Sequence, residues 1–380
     1  MAVNLSLEFR SQNNISDEST NVTAMTDDNS YLIIINGYVV PALAIVVLLT
    51  NAVVIAVLRR QQTYGASQAG LVGIAVSDTL TLVLPAPFYF YSYGLGNYAI
   101  QFGWCQAMDW IALYLPTISH TASIWLTVYL TLQRYFYVCL PFKARGWCTL
   151  RYTIICIVLI YLMAVVVHMC RFFVFEYHNN VYFDPWTNTT EEYCKREYRI
   201  WVDVSMYYSS YLGIRIIFIQ FVPCVSLIIL NCKILHGLQT VTNKRLQLNT
   251  NAQSNHATVK ENIRVTVMII CMAVITLLVE FPVGIIQLLY VFPFMFGYDI
   301  IEMNTLKYVE VIANLVIIFS YPLNFLLYCS MSAEFKATLR QLCWSNACRE
   351  GSPRSYSRCS KNIPPPSITM DEGVTISTKV

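Results

Sequence analysis

Charged residues are scarce in this chain of 380 residues: Asp, Glu, Lys and Arg make up only 12% of it, whereas hydrophobic residues make up 56%. A soluble domain cannot bury so large an apolar share inside one core. The mean hydropathy of +0.50 agrees with that limit. The composition therefore predicts a membrane protein.

Motifs of several enzyme and binding classes are also missing. No stretch fits GxxxxGK[ST] or HExxH, so neither a phosphate-binding loop nor a zinc protease site is indicated. The net charge of +3 is small and dispersed, which argues against nucleic-acid binding. We expect no enzyme activity, no cofactor and no metal. Residues 1-30 lack a basic segment followed by an apolar one, so no cleavable signal peptide is expected.

Seven apolar stretches are each long enough to cross a bilayer as an α-helix, which needs about 20 residues. No period of about 20 to 50 residues repeats along the chain, so a repeat array is not expected. The sequence predicts an all-α membrane protein, a seven-helix bundle. Its helices would span residues 32-58, 67-92, 106-138, 150-173, 206-235, 265-292 and 306-329.

The distribution of basic residues predicts the orientation in the membrane. With the N-terminus outside, 18 of the 25 lysines and arginines lie on the cytoplasmic side. The N-x-[ST] sequons then all lie outside, where glycosylation occurs, at Asn4, Asn14, Asn21 and Asn188. We expect a plasma-membrane protein divided into an extracellular segment (1-30), a transmembrane domain (31-330), a short amphipathic helix on the membrane surface (331-344) and a disordered cytoplasmic tail (345-380).

Polar residues recur at helical spacing inside the apolar stretches, so they share one face of each helix. An ionisable side chain in hydrocarbon costs about 2.5–3.5 kcal/mol, and we therefore expect each to face the bundle interior. An outer cluster, interpreted as a ligand pocket, would contain Pro116, His120, Tyr208, Tyr211, Arg215, Glu280, Gln287, Glu310 and Asn314. An inner cluster, interpreted as a switch, would contain Asn51, Asp78, Ser123, Arg134, Asn324 and Tyr328.

The inner residues also carry a family resemblance. They stand in the stretches LLTNAVVIAVL (Asn51), LVGIAVSD (Asp78), TLQRYFYV (Gln133, Arg134, Tyr135), VEFP (Pro282) and NFLLY (Asn324 to Tyr328). In this order the stretches resemble the rhodopsin-like G-protein-coupled receptors over roughly residues 31 to 342. The stretches QRYFYVCLPFKARGWCT, CRFF, LLVEFP and SYPLNFLLYCSMSAEF are similar to the invertebrate receptors for myosuppressin, FMRFamide-like, sex and myoinhibitory peptides.

The chain departs from the receptor pattern at several switch positions. Gln133 replaces the acid before Arg134, so the usual local salt bridge is missing. VEFP replaces C-W-x-P, and NFLLY replaces N-P-x-x-Y with the proline displaced to Pro322, where it still permits a kink. Cys105 precedes Arg134 by 29 residues, about one helical turn more than is usual in the family. We therefore expect the third helix to project further or to bulge.

The second outer loop is expected to cover the mouth of the bundle. The resemblance implies a disulfide between Cys105 and Cys194, both on the oxidising side of the membrane; two unrelated thiols are the alternative. In the same loop, FEYHNNVYF weakly predicts a β-hairpin. A pinned loop of this kind would shape a ligand entrance.

Glu280 lies close to the middle of the apolar sixth helix, and two interpretations stay open. It forms a structural ion pair with Arg215, or, together with Glu310, it receives a cationic group such as the arginine of an Arg-Phe-amide peptide. The two can be one mechanism, in which a ligand competes for Glu280 and loosens the fifth and sixth helices. His120 is interpreted as a packed, hydrogen-bonded residue.

The resemblance narrows the ligand class. Amine receptors of the family carry an aspartate at the third-helix position that is Pro116 here, so a biogenic amine is not expected. We expect an extracellular, C-terminally amidated FMRFamide-like neuropeptide and a heterotrimeric G protein, of the Gi/o type by analogy. The alternative from another class is a seven-helix ion-coupled transporter or channel that uses the intramembrane charges as a pathway.

The cytoplasmic side predicts the remaining partners. The resemblance implies that a G protein docks at Arg134 and Tyr135. Cys343 and Cys348 follow the amphipathic helix, where palmitoylation would anchor them to membrane lipids. The terminal STKV fits strand addition to a PDZ domain, and serines and threonines of the tail would recruit arrestin.

Overall fold

The computed structural model describes residues 30–61, 64–97, 101–184, 189–248, 256–296, 301 and 303–349. Within these residues, seven helices are long and apolar enough to cross a membrane. The predicted seven-helix bundle is confirmed. Their ends differ from the predicted spans mainly in the fifth and sixth helices, which extend further toward the loop that joins them.

Three of the seven helices contain no π-helical segment. They are α4 (Leu150–His168, followed by a short turn of helix Arg171–Val174), α6 (His256–Phe296) and α7 (Met303–Met331). Prolines inside α6 and α7 remove one backbone hydrogen bond each without ending the helix. An additional helix, α8 (Ala333–Arg349), follows α7, and a short helix Pro141–Trp147 precedes α4.

The other four helices contain π-helical segments. Helix α1 comprises Ser30–Ile34, the π segment Ile35–Val39 and Val40–Arg60. Helix α2 comprises Ala66–Val83, Ala86–Tyr89 and the π segment Phe90–Gly94. Helix α3 comprises Phe102–Met108, the π segment Asp109–Tyr114 and Leu115–Cys139. Helix α5 comprises Val204–Tyr207, the π segment Tyr208–Leu212, Gly213–Arg215, the π segment Ile216–Phe221 and Val222–Leu248.

The π segments place extra residues in the half of the bundle that carries the outer cluster. π-Helical turns are rare and recur at functional sites. In α3 the segment Asp109–Tyr114 absorbs part of the unusual length between Cys105 and Arg134. The bulge expected from that spacing is therefore present.

Helix α3 is the centre of the bundle. It contacts α2, α4, α5 and α6, while α1 packs on α2 and α7, and α6 packs on α7. The most apolar part of α3 is 83% buried, against 17% for α4. Exposed apolar side chains on α4, such as Val158, Leu159 and Leu162, therefore face the place of the lipid rather than the core.

The apolar core of the inner half joins α3, α6 and α7 to α8. Leu126 and Leu130 of α3 cluster with Met268 of α6 and Tyr328 of α7. Phe335 of α8 is fully buried, and its ring stacks on that of Tyr328 with 5.3 Å between centroids. The Ser332 hydroxyl accepts a hydrogen bond from the Phe335 N–H at 3.2 Å, which caps α8. The placement of this helix on a membrane surface stays a prediction.

A two-stranded hairpin lies between α4 and α5. Strands β1 (Phe175–Asp184) and β2 (Thr189–Tyr198) pair antiparallel, with Phe175 opposite Tyr198. The hairpin predicted from FEYHNNVYF is confirmed. A disulfide joins Cys105 at the start of α3 to Cys194 in β2, as the resemblance implied.

Candidate functional site

Asp78 of α2 is the hub of the inner cluster. The Ser123 hydroxyl of α3 donates to Asp78 Oδ1 at 2.5 Å, and the Asn324 amide of α7 donates to Oδ2 at 3.1 Å. Asn51 of α1 donates to Thr79 Oγ1 at 3.0 Å beside it. Both oxygens of a carboxylate that is 1% exposed are therefore occupied. Three helices meet at this residue through direct hydrogen bonds.

Glu280 of α6 is paired with His120 of α3. The distance from His120 Nε2 to Glu280 Oε1 is 3.4 Å. On its other side, His120 Nδ1 lies 3.2 Å from the Tyr321 hydroxyl of α7. If Nε2 carries the proton toward Glu280, Nδ1 accepts from the tyrosine, and the histidine then joins α3, α6 and α7. The prediction that His120 is packed and hydrogen-bonded agrees with this geometry.

The second oxygen of Glu280 has no such contact. Glu280 is 4% exposed, and its Oε2 atom lacks a hydrogen-bond partner among the described residues. An unsatisfied buried acceptor costs about 1–3 kcal/mol, and more when it is charged. One oxygen of the carboxylate therefore has a partner among the described residues and the other does not, and we call this carboxylate half occupied. It can accept one more hydrogen bond.

A cavity of about 40 Å³ lies between the two acids. Asp78, Ser123 and Asn324 line its inner end, and His120 and Glu280 line its outer end. Such a volume holds about three water molecules, and its polar walls offer them partners. The inner and outer clusters thus share one polar space.

Arg215 of α5 does not form the predicted alternative pair with Glu280. It is 4% exposed, its Nε atom has no hydrogen-bond partner, and no ion pair joins it to an acid within the described part of the chain. The reason is local. Two π segments flank Arg215 and change the direction of its side chain relative to a regular helix.

Sequence analysis gave no role to His168 of α4, which ties α3 and α5 together. Its Nε2 lies 2.9 Å from the Thr121 hydroxyl and its Nδ1 lies 2.8 Å from the Tyr211 hydroxyl. The guanidinium of Arg171 lies 5.3 Å from the Tyr114 ring centroid and 5.9 Å from that of Tyr211. CRFF, which contains Arg171, was noted only as part of the resemblance.

The seam between α5 and α6 depends on a glycine. A Cβ atom on Gly284 would stand 3.0 Å from Gln220 Cβ, so a larger residue would require this glutamine to shift by a few tenths of an ångström. Gln220 and Gln287 are both buried, and the Oε1 atom of each lacks a hydrogen-bond partner within the described residues. Neither Gln220 nor Gly284 was predicted as a site residue. A single glutamine within an apolar stretch gives no helical pattern of polar residues that would point to a site.

The rest of the predicted outer cluster is buried as expected. Glu310 and Asn314 of α7 are 2% and 5% exposed, and Pro116 is buried near Asn314 along a second small cavity. Tyr211 stacks on Tyr207 with 5.4 Å between ring centroids. The side chain of Tyr208 lies outside the described residues.

The hairpin is fastened to α3 at a second point, which sequence analysis missed. Arg196 Nη1 donates to both oxygens of Asp109 at 3.1 Å, and the Tyr177 hydroxyl donates to Oδ2 at 2.8 Å. Burial and the negative Asp109 carboxylate raise the pKa of the Tyr177 hydroxyl above its ordinary value, so it stays a donor. Asp109 stands four residues after Cys105, so both fastenings lie on one face of α3.

Near its C-terminal end, α3 holds Arg134 without an acid among the described residues. Arg134 is 8% exposed, its guanidinium lies 5.5 Å from the Tyr137 ring centroid, and its Nε lacks a hydrogen-bond partner within the described residues. Gln133 turns away to α4, where it donates to the Thr153 hydroxyl at 2.8 Å. Tyr135 faces Lys233 of α5, whose Nζ lies 5.7 Å from the ring centroid.

Several predicted positions stay predictions. Pro282 is exposed on α6 and Pro322 is half-buried on α7, so the structure gives their place but not their role. Asn4, Asn14, Asn21 and Asn188, with the tail beyond Arg349, lie outside the described residues. Cys343 and Cys348 belong to α8, but their side chains are not described.

Comparison with known proteins gives a consistent result. The profile described as "Serpentine type 7TM GPCR chemoreceptor Srw" matches residues 38–346. The chain is 29% identical over 320 residues to the "Sex peptide receptor" of Drosophila melanogaster, covering 82% of this chain and 73% of that protein. It is 24% identical over 331 residues to "Sex peptide receptor-related protein 2" of Caenorhabditis elegans, covering 84% and 73%. The "FMRFamide receptor" of Drosophila melanogaster is 24% identical over 312 residues, covering 79% and 52%.

Proposed function

The chain belongs to the Srw family of serpentine seven-transmembrane G-protein-coupled receptors, and from that premise we propose that it is a neuropeptide receptor. The family is one of receptors and not of enzymes, and it leaves no role for the transporter or channel alternative. A peptide ligand is supported by the names of two relatives, a sex peptide receptor and an FMRFamide receptor. The receptor would lie in the plasma membrane with its N-terminus outside.

The observation that carries the binding site is the half-occupied carboxylate of Glu280. One oxygen faces His120 at 3.4 Å, and the other has no hydrogen-bond partner among the described residues. A guanidinium offers two parallel N–H donors, which match a carboxylate better than the single contact from His120. A ligand with an arginine, such as an amidated peptide ending in Arg-Phe, would therefore gain binding affinity from its contact with Glu280.

Transmission to the cytoplasm follows from the partners of His120. A guanidinium at Glu280 competes with the imidazole, which is also bonded to Tyr321 of α7 and lines the cavity that reaches Asp78. A ligand shifts a conformational equilibrium only by its different affinity for the two states. Here the two states would differ in the partner of Glu280, which is His120 without ligand and the ligand guanidinium with it. The change would reach the G protein through Arg134.

The direct test is Glu280→Gln, which keeps the shape and removes the charge. In cells that express the receptor, we expect an amidated Arg-Phe peptide to lose at least about tenfold in potency, equal to about 1.4 kcal/mol. Surface expression should persist, because the Gln side chain still accepts from His120. Peptide-evoked G-protein activation and surface labelling are the two measurements.

Glu176→Gln is the matched control, since Glu176 lies in the hairpin on the outer side and pairs with His178 at 3.4 Å. We expect it to leave the potency within about twofold, as for an exposed pair. Equal small losses in both variants would remove Glu280 from the binding site.

Finer features of the proposal come from the sequence. Glycans would be carried at Asn4, Asn14, Asn21 and Asn188, and palmitate at Cys343 or Cys348 beside a membrane-bound α8. The tail would bind arrestin and, through STKV, a PDZ domain. Gi/o coupling rests on analogy with similar receptors.

A further inference from the structure

Arg215 is a buried cation for which the described structure provides no anion. It is 4% exposed, its Nε atom has no hydrogen-bond partner, and none of the ion pairs among the described residues includes it. Burying an unpaired charge costs several kcal/mol even after relaxation. Ionisable residues inside a membrane bundle are therefore kept for a function in most cases.

The backbone around Arg215 keeps the side chain turned inward. Ile214, Ile217 and Phe218 are each about half exposed on the outer surface of α5, whereas Arg215 and Ile219 are buried. Between the two π segments, only Gly213–Arg215 is α-helical. π-Helical turns are rare and often occur at functional sites, which agrees with a functional role for this part of α5.

The charged residues around the outer cluster are distributed unevenly among the helices. His168 lies within Coulombic range of both Arg215 and Arg171, and it already shares its two ring nitrogens with Thr121 and Tyr211. The acids of the outer cluster, Glu280 and Glu310, are on α6 and α7. The charges of the outer half of the bundle are thus divided by helix, with arginines on α5 and directly after α4 and carboxylates on α6 and α7.

We propose that Arg215 is the anion-binding subsite of the pocket and takes a carboxylate from the ligand. This rests on the proposed function only for the nature of the ligand, which would be a peptide with an acidic residue as well as a basic one. The basic group would go to Glu280 and the acidic group to Arg215, so the order of charges in the peptide fixes its orientation. A guanidinium binds a carboxylate through two parallel hydrogen bonds.

Stability without ligand separates this role from a structural one. Replacing an arginine with a structural role would remove packing and partners and so lower the stability of the receptor. An unpaired charge kept for a ligand instead lowers the stability of the ligand-free receptor, so its removal should not. We expect Arg215→Met in the purified full chain to melt at the same temperature as the wild type or higher. A lower melting temperature for Arg215→Met would overturn the proposal.

A small carboxylate provides the direct binding test. Propionate is the probe, on the order of 100 mM at constant ionic strength, with neutral propionamide as its isostere. We expect propionate to raise the melting temperature of the wild type by about 2 °C and propionamide to have no effect. The rise should vanish in Arg215→Met and persist in the control Arg199→Gln, whose arginine bonds to the Phe175 carbonyl at 3.3 Å outside the bundle interior. An equal rise in Arg215→Met, or none in the wild type, would refute the subsite whatever the natural ligand is.

A peptide pair tests the deeper claim. Asp-Phe-Met-Arg-Phe-amide and its Asn counterpart differ in one charge. We expect the Asp peptide to be about tenfold more potent on the wild type and the advantage to disappear in Arg215→Met. An unchanged ratio in the variant would refute the orientation. Inactivity of both peptides would count against the FMRFamide-like ligand, and the propionate result would still decide the role of Arg215.

Discussion

Asp78 and Glu280 are two buried carboxylates that line one cavity, but their surroundings differ. Asp78 accepts from Ser123 and Asn324, one donor for each oxygen. Glu280 has only His120, at 3.4 Å, and its second oxygen lacks a hydrogen-bond partner among the described residues. A completed site holds helices in place, whereas an incomplete one leaves free energy for an incoming group. The difference supports our proposal that the inner cluster stabilises the bundle and the outer cluster binds the ligand.

Substitution of Asp78 should give the largest change in stability and is the strongest test of this comparison. In Asp78→Ala the Asn324 amide loses its acceptor in a buried site, and we expect a loss of about 3 kcal/mol in the free energy of unfolding. Asp78→Asn keeps the shape and one acceptor, so its loss should be less than half as large. Thermal unfolding of the purified receptor measures both. If neither variant changed the stability, the inner hydrogen bonds would not be what holds α2, α3 and α7 together.

Removal of the contact between His120 and Glu280 should have an intermediate effect on the free energy of unfolding. His120→Ala should cost more stability in the wild type than in the Glu280→Gln background, because only the first leaves a charged carboxylate without its partner. We expect a coupling of about 1–2 kcal/mol from the double-mutant cycle. Additive effects of the two changes would mean that the 3.4 Å contact contributes nothing.

Glu197, a carboxylate on the surface, should have the smallest effect on stability and serves as a contrast to the two buried ones. Glu197 in the hairpin pairs with Lys195 at 2.8 Å, and the hydrogen bond from that ammonium lowers the pKa of the Glu197 carboxyl. A lowered pKa stabilises the folded state above the ordinary value of about 4.5, and this is lost as the pH falls through the lowered value. Because both side chains are over a third exposed, solvent screens the pair.

The difference in stability between the wild type and Glu197→Gln should therefore be below about 1 kcal/mol at about pH 7 and vanish at about pH 3. Melting curves at the two pH values measure it. A difference that grew on acidification would contradict the direction of the pKa shift.

Most of the fold could be predicted from the sequence because lipid imposes a simple rule. An apolar run of about 20 residues must be helical, and an interior polar residue must face its neighbours. The burial of Asp78, His120, Arg215 and Glu280 follows from that rule alone. The hairpin and the disulfide were predicted from β-branched and aromatic residues and from a resemblance, and both are present.

The pairing of residues between helices could not be predicted in the same way. Spacing gives the face of one helix but not its rotation against the next, and each π segment changes that rotation along the helix. Glu280 therefore meets His120 and not Arg215. The link from Asp109 to Arg196 depends on the strand register, which places Arg196 opposite Tyr177, and no motif in the sequence records it.

The two fastenings of the hairpin have a mechanical meaning. Cys105 and Asp109 stand on the same helix that carries His120, Ser123 and, at its far end, Arg134. The cover formed by the hairpin and Arg134 at the opposite end of the bundle are thus parts of one rod that is long enough to cross a membrane, with a single π-helical joint near the hairpin. A ligand that tilts the cover would move the other end of that rod directly.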